Sequence, residues 1–346
     1  MINLYGYSRK SLEKLMVEEN QKPFRATQLY TWIYEKKVTS FDEMTDISSK
    51  FREVLKEKYC LDIPKIAKEQ HSSDGTIKLL VEFPDGNKVE TVLMRYNYGN
   101  AACVSSQVGC NMGCSFCASG LLGKKRNLSP EEIVGQILVL NNLLKEEGKG
   151  QRVTHIVVMG TGEPFDNYDN VMEFIRIVND QKGLAIGARH ITVSTCGLID
   201  GIRKYANEGL QTNLAISLHA PNNELRNKLM KINKIYPLEK VIEAVKEYES
   251  IANRRVTYEY LLLSGINDNK ENADELVNLI KGTMGYVNLI PYNETSLCDY
   301  KRSSGNRVHA FLDYLTKAGV NATIRKEFGS DIDAACGQLK ARVKDE

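Results

Sequence analysis

A chain of 346 residues with 42% hydrophobic and 26% charged residues can bury a substantial core, and its length suits one large domain carrying an appendage. No run of about 18 apolar residues is present to span a bilayer. Met1-Ile2-Asn3-Leu4-Tyr5 also lacks the basic region and apolar core of an export signal, so a soluble, cytoplasmic protein with no membrane partner is expected. The formal charge of +2 neither announces a nucleic-acid partner nor excludes one, which leaves that question to local patches: Lys22 with Arg25, Lys124-Lys125-Arg126 and Arg254-Arg255.

In chain order, residues 1–62 read as helical. Gln28-Leu29-Tyr30-Thr31-Trp32-Ile33-Tyr34 places apolar residues at helical spacing, as does Phe51-Arg52-Glu53-Val54-Leu55. Trp32 reads as a core residue rather than a stacking platform for bases. Residues 76–83 and 88–95 are β-rich and flank Pro84-Asp85-Gly86-Asn87, whose Asp-Gly step favours a hairpin. From residue 102, strand-like runs (102–108, 154–160, 190–196, 213–219, 256–263 and 287–292) alternate with amphipathic helical ones, the order of a parallel α/β sheet. Ser129-Pro130-Glu131-Glu132 is a helix start, with Ser as cap, Pro in the first turn and Glu132 completing a capping box. Six such units are too few to close an eight-stranded barrel. No internal repeat or low-complexity tract interrupts them.

Eight cysteines in a chain of this type favour metal and redox use over a disulfide framework. Cys110, Cys114 and Cys117 form a C-x-x-x-C-x-x-C run with Phe116 before the last, between the first strand and first helix of the α/β part. Thiolates so spaced can hold three irons of a four-iron, four-sulfur cluster and leave the fourth open for a small molecule. A zinc loop is the rival reading. Zinc normally takes a fourth protein ligand and more often uses paired C-x-x-C motifs, and no second pair is present: Cys103 lies seven residues upstream and Cys196 far downstream.

With its aromatic residue, the run resembles the cluster motif of radical S-adenosylmethionine (SAM) enzymes. Val158-Met159-Gly160-Thr161-Gly162-Glu163-Pro164, Ser217-Leu218-His219, Val287-Asn288-Leu289-Ile290-Pro291-Tyr292-Asn293 and Asp331-Ile332-Asp333-Ala334-Ala335-Cys336-Gly337-Gln338-Leu339 extend the resemblance nearly end to end, to the RlmN family of RNA adenosine C2 methyltransferases. That resemblance implies an α/β fold built on a partial (βα)6 TIM-like barrel of the radical SAM type over residues 99–346, ending in a catalytic-cysteine loop. It further implies a helical RNA-binding accessory domain over 1–68 and a linking β-hairpin over 69–98. One [4Fe-4S] cluster would sit on Cys110, Cys114 and Cys117. SAM, two molecules per turnover, would be held by Gly162, Glu163, Ser194, Ser217, Leu218, His219 and Asn293.

The same resemblance supplies a chemical sequence. Cys336 takes a methyl group from one SAM, a radical from a second SAM removes hydrogen from it, and the resulting methylene adds to the base. Cys103 then attacks the sulfur of Cys336, forming a disulfide and releasing product, while Glu90 takes the ring proton. Without the resemblance, Cys103 reads as a small buried residue, Glu90 as a strand-edge charge, and Ser194 and His219 as structural. Small neighbours on both sides of Cys336 suit a loop free to swing. Cys60, Cys196 and Cys298 carry no role. The implied substrate is an adenosine near the peptidyl transferase centre of 23S rRNA, with the tRNA adenosine 3′ of the anticodon as a second target, and a reacting base must leave its stack. A flavodoxin-like electron donor, a thiol reductant and a monomeric chain are expected. Two rivals remain: a Cfr-type adenosine C8 methyltransferase, resembled at Phe328-Gly329-Ser330 but not at residues 162–168, and a noncatalytic iron–sulfur or zinc RNA-binding protein.

Overall fold

A computed structural model describes residues 1–121, 123–148, 151–295, 297–335 and 337–339. Its apolar and β-branched runs pair into one ten-stranded sheet whose spatial order is the chain order. The strands are β1 (Lys65–His71), β2 (Ile77–Glu82), β3 (Lys88–Tyr96), β4 (Gly99–Cys103), β5 (Val153–Val158), β6 (Ile191–Thr195), β7 (Asn213–Ser217), β8 (Val256–Leu262), β9 (Tyr286–Pro291) and β10 (Ala322–Ile324). β1 to β4 pair antiparallel. From β4 to β10 every pairing is parallel. The parallel part therefore has a seventh strand beyond the six expected, and the hairpin β2–β3 continues the same sheet instead of standing apart. The expected first strand over 102–108 is broken: Gln107–Val108 pair separately, antiparallel to Arg126–Asn127, and β4 ends at Cys103. Beyond it the Gln136 side chain takes over the backbone of Ser105, accepting from its N–H at 2.9 Å and donating to its carbonyl at 3.0 Å, so no ladder is needed there.

Eleven helices accompany the strands among the described residues. Before the sheet come α1 (Arg9–Glu18), α2 (Phe24–Tyr30) and α3 (Ser49–Lys58); after β4 come α4 (Ala118–Leu121) and α5 (Pro130–Glu146). Then follow α6 (Tyr168–Asn179), α7 (Ile199–Ala206), α8 (Asn223–Leu229), α9 (Leu238–Ala252), α10 (Lys270–Ile280) and α11 (Gly305–Lys317). The expected capping box starts α5: the Ser129 N–H donates to Glu132 at 3.0 Å. Helix α2 passes into a π turn over Thr31–Glu35, and Trp32 is buried, as read, with its indole N–H on Asp46 at 2.6 Å. The N-terminal helices dock on the outside of the barrel. Tyr30 donates to the Ile177 carbonyl at 2.9 Å, and Arg9 pairs with Asp180 at 2.9 Å. Residues of α1–α3 and of the sheet share a single apolar core.

After β10 the chain turns back across the open side of the barrel to the antiparallel strands. The Gly329 N–H donates to Asp74 at 3.0 Å, and Asp331 in return accepts from the Ser73 N–H at 3.1 Å and from the Ser72 hydroxyl. Farther on, the Gly337 carbonyl accepts from the Ala118 N–H at 2.9 Å and the Leu339 carbonyl from Ser119 at 2.7 Å. This tail is thus a strap with anchors on both sides of position 336. Ala335 and Gly337, expected to free the loop, are both within the anchored stretch.

Candidate active site

Two adjoining cavities lie at the C-terminal ends of the parallel strands, where the loops of a βα fold gather their reactive groups. The larger, about 890 Å³, is lined by Cys110, Cys114 and Cys117 together with Glu163, Ser194, Ser217 and His219. Its neighbour, about 710 Å³, holds Cys103 and Asn293 and is closed by the strap. Met159, Gly160, Cys117 and Arg325 belong to both walls, so the two cavities adjoin across a shared side.

The three thiols fit an iron–sulfur cluster. Burial pushes the Cys110 thiol up to about 12, and burial together with the neighbouring sulfurs pushes Cys114 up as well; Cys117 moves the same way for the same first reason. Three thiolates could share this pocket only with positive metal between them, whose binding would expel their protons. Among the described residues no three His, Cys, Asp or Glu side chains close on a single-ion position. Three protein thiolates leave one iron of a four-iron cluster open, whereas a structural zinc normally takes four protein ligands.

Glu163 is buried, and its carboxylate accepts from the N–H groups of Phe165 at 3.0 Å and Cys196 at 2.8 Å. Burial pushes its pKa up despite those bonds, so the site favours a ligand that brings positive charge. Ser194 and Ser217 stand 3.3 Å apart, hydroxyl to hydroxyl. His219 sits edge-on to Phe116, ring centroids 4.9 Å apart. Its Nδ1 accepts from the Leu261 N–H at 3.1 Å, which leaves Nε2 as the protonated donor, and burial plus Arg226 hold its pKa down to about 3. Two expectations change here. Leu218 is wholly buried in the main core and lines neither cavity; its place in the segment is to fill the space under β7. Gly162 does line the cavity, but the contact that forbids a side chain is Gln107: at φ +114 an added Cβ would fall 2.8 Å from its backbone nitrogen. Asn293 faces the second cavity rather than the first.

Register assembles the remaining catalytic candidates. Val92 pairs with Cys103 across β3 and β4, and Glu90 lies two residues from Val92, so Glu90 and Cys103 leave the same face of the sheet. Phe328, Ala334 and Leu339 of the strap pack there against Val92 and Cys103. Cys336 lies outside the described residues. No disulfide joins any two described cysteines.

Comparison with known proteins agrees with this geometry. Residues 104–277 match the model of the radical SAM superfamily, and residues 2–61 match that of the ribosomal RNA large subunit methyltransferase N-terminal domain. The chain is 54% identical over 344 residues to a probable dual-specificity RNA methyltransferase RlmN of Streptococcus equi subsp. zooepidemicus, covering 99% of this chain and 96% of that protein. The corresponding protein of Streptococcus agalactiae serotype Ia is 55% identical, over 99% and 94% of the two chains. The chain belongs to the RlmN family. A crystal structure of a radical SAM methyltransferase from Sphaerobacter thermophilus superposes with a TM-score of 0.92 at 41% identity, covering 99% of this chain and all of the other. This RlmN-family chain is therefore a radical SAM RNA methyltransferase.

Several residues of the RlmN chamber escaped the sequence reading. Glu259 lies on the wall of the first cavity, buried in β8, bonded to Asn288 at 3.1 Å and paired with Arg325 at 3.4 Å. Arg226, fully buried, ties the loop ends together by donating to the carbonyls of Cys196 at 2.6 Å and Leu218 at 3.2 Å. A charge inside an apolar run, as in Val256-Thr257-Tyr258-Glu259-Tyr260-Leu261, was the available signal. The basic patch expected at 124–126 is largely occupied from within: Lys124 pairs with Asp166 at 2.7 Å, and Arg126 with Asp85 at 2.6 Å and Glu132 at 2.7 Å. Among the described residues no helix is long and apolar enough to cross a membrane.

Proposed function

We propose that this enzyme makes 2-methyladenosine in 23S rRNA near the peptidyl transferase centre, and in tRNA at the adenosine 3′ of the anticodon, by way of a methylated Cys336 and a covalent RNA adduct. The observation that carries this reading is the shared face: Glu90 and Cys103 leave the same side of the sheet, the side covered by the strap whose anchors flank position 336, and Cys103 lines the cavity that adjoins the three-thiol cavity. The streptococcal relatives, described as probable dual-specificity RNA methyltransferases, favour two RNA targets.

When bound, the cluster on Cys110, Cys114 and Cys117 supplies the electron that cleaves SAM, and SAM supplies the methyl group and the hydrogen-abstracting adenosyl group. The protein's own groups set the pose. Glu163 offers its carboxylate to an ammonium, Ser194 and Ser217 offer hydroxyls, and neutral His219 offers its Nε2–H. The Asn293 amide faces the cavity where the base must enter. Glu90 accepts the ring proton. The Cys103 thiolate attacks the Cys336 sulfur, so that an S–S bond forms and the S–C bond breaks with its pair passing to carbon, which takes up a proton to become methyl; the adduct's odd electron would leave to the oxidised cluster as one-electron acceptor. A low-potential flavodoxin-like donor and a thiol reductant complete the cycle.

Cys103→Ala tests the scheme, because the proposed role of this thiol begins only after the base is attached. Anaerobic turnover should still methylate Cys336 and cleave SAM, while protein accumulates joined to RNA; Cys336→Ala should accumulate none. Normal release of 2-methyladenosine by Cys103→Ala would end the two-cysteine scheme. Release of 8-methyladenosine by the parent enzyme would end the carbon-2 assignment.

A further inference from the structure

Lys78 is the second residue of β2, between Ile77 and Leu79, and is only 6% exposed. Lysine is almost never that deeply buried without an anionic partner, since its ammonium gives up its water shell. The partner is Glu90: Nζ lies 3.3 Å from its carboxylate, whose side chain is 8% exposed. The same ammonium donates to the Asp333 carbonyl at 3.2 Å, three residues before Cys336. Sheet register brings these groups together. Lys78 stands opposite Val92, and Val92 opposite Cys103, so Lys78, Glu90 and Cys103 share the face that the strap covers.

We propose that Lys78 is a positioning residue for the release half of the methylation, holding the Glu90 carboxylate toward the base and the segment leading to Cys336 over the same face. This rests on the reading of Glu90 as proton acceptor and Cys103 as attacking thiol. In that half-reaction the C–H bond of the ring carbon breaks, the proton goes to Glu90, the electron pair stays in the purine, and the adduct's odd electron would leave to the oxidised cluster as one-electron acceptor. Without its cation, a buried carboxylate turns toward water or takes a proton before the ring offers one, and either response removes the acceptor. Lys78 lies outside the walls of the cavity that holds the three cysteines, so cleavage of SAM proceeds without it.

The test uses the full-length, cluster-loaded enzyme with RNA, and compares Lys78→Met, Lys78→Arg, Glu90→Gln and the double variant Lys78→Met with Glu90→Gln. Lys78→Met should form 5′-deoxyadenosine and methylate Cys336 within about twofold of the parent, yet release about 100-fold less 2-methyladenosine, the scale of a lost general base, while RNA-linked protein accumulates. Lys78→Arg should recover release to within about tenfold, and the double variant should be no worse than Glu90→Gln, as expected of groups acting as one unit. If Lys78→Met releases normal amounts while Glu90→Gln does not, Lys78 is no positioning residue and the base reading stands. An equal loss of 5′-deoxyadenosine and of release, or no recovery in Lys78→Arg, makes it a packing residue and overturns the proposal. Normal release by Glu90→Gln overturns the base reading and this proposal with it. Should Lys78→Met fail to fold, Lys78→Gln decides: it keeps a donor for Asp333 but no charge, must accumulate RNA-linked protein, and by releasing normally would refute the proposal.

Discussion

At the scale of single residues, His219 shows how burial fixes a chemical state. Its backbone is in the left-handed region, φ +58, where His and Asn are among the residues tolerated, and its ring is held neutral because burial and Arg226 depress its pKa to about 3. In the unfolded chain the same imidazole titrates near about 6.5. The folded value is the lower one, so the fold keeps this contribution in full above the unfolded pKa and loses it as the pH falls toward 3. Glu163 and Glu259, both pushed up by burial, titrate in the opposite sense, becoming less costly as the pH falls. The difference between the parent and His219→Asn isolates the imidazole. Urea unfolding of cluster-free protein should show that difference shrinking by about 1.4 kcal/mol per pH unit below pH 6.5. A difference independent of pH would mean that the fold does not depress the His219 pKa, against the burial described for its ring.

Among the elements, the strap is where sequence and structure part company. The helix starts, the parallel strands and the cysteine run were legible because each is local: caps, periodicity and spacing act over a few residues. β10 was not, since Ala322–Ile324 is too short to show a period. Lys78 and the anchors of the strap were invisible for another reason, namely that their partners are set by register and by chain reversal; Asp74 and Gly329 are 255 residues apart. The strap also sharpens an expectation, because small residues beside Cys336 pointed to free motion, whereas the structure ties the chain down at Asp331, Gly337 and Leu339. Motion at this site must therefore break named hydrogen bonds. Asp331→Ala removes the acceptor that serves Ser72 and Ser73, so limited proteolysis should cut within residues 325–335 sooner than in the parent, with methylated RNA formed more slowly and little change in melting temperature. A tail cut no faster than in the parent would show that the Asp331 contacts do not hold the strap.

For the whole molecule, the question is whether the N-terminal helices are a tethered module or part of the enzyme's body. Leu12, Leu29, Tyr30, Tyr34 and Leu55 are all buried within the core that continues through the barrel strands. Tyr30 reaches the Ile177 carbonyl at 2.9 Å, and a Cβ on Gly183 would fall 2.7 Å from the Tyr30 ring, so the contact leaves no slack. RNA held by helices so fixed would meet the chamber in one orientation. The consequence is cooperative unfolding. The full chain should melt in a single transition followed alike by tryptophan fluorescence, which reports Trp32 in the helical part, and by far-ultraviolet circular dichroism, which reports both parts. Tyr30→Phe, which leaves the buried Ile177 carbonyl without its donor, should lower stability by about 1 to 3 kcal/mol in both signals together. A chain beginning at residue 63 would expose the apolar faces of α5 and α6 that the N-terminal part covers, and should sediment as aggregate. Two separate transitions, or a soluble truncated barrel that still cleaves SAM at the parent rate, would establish the helices as an independent module and remove the fixed presentation inferred from their packing.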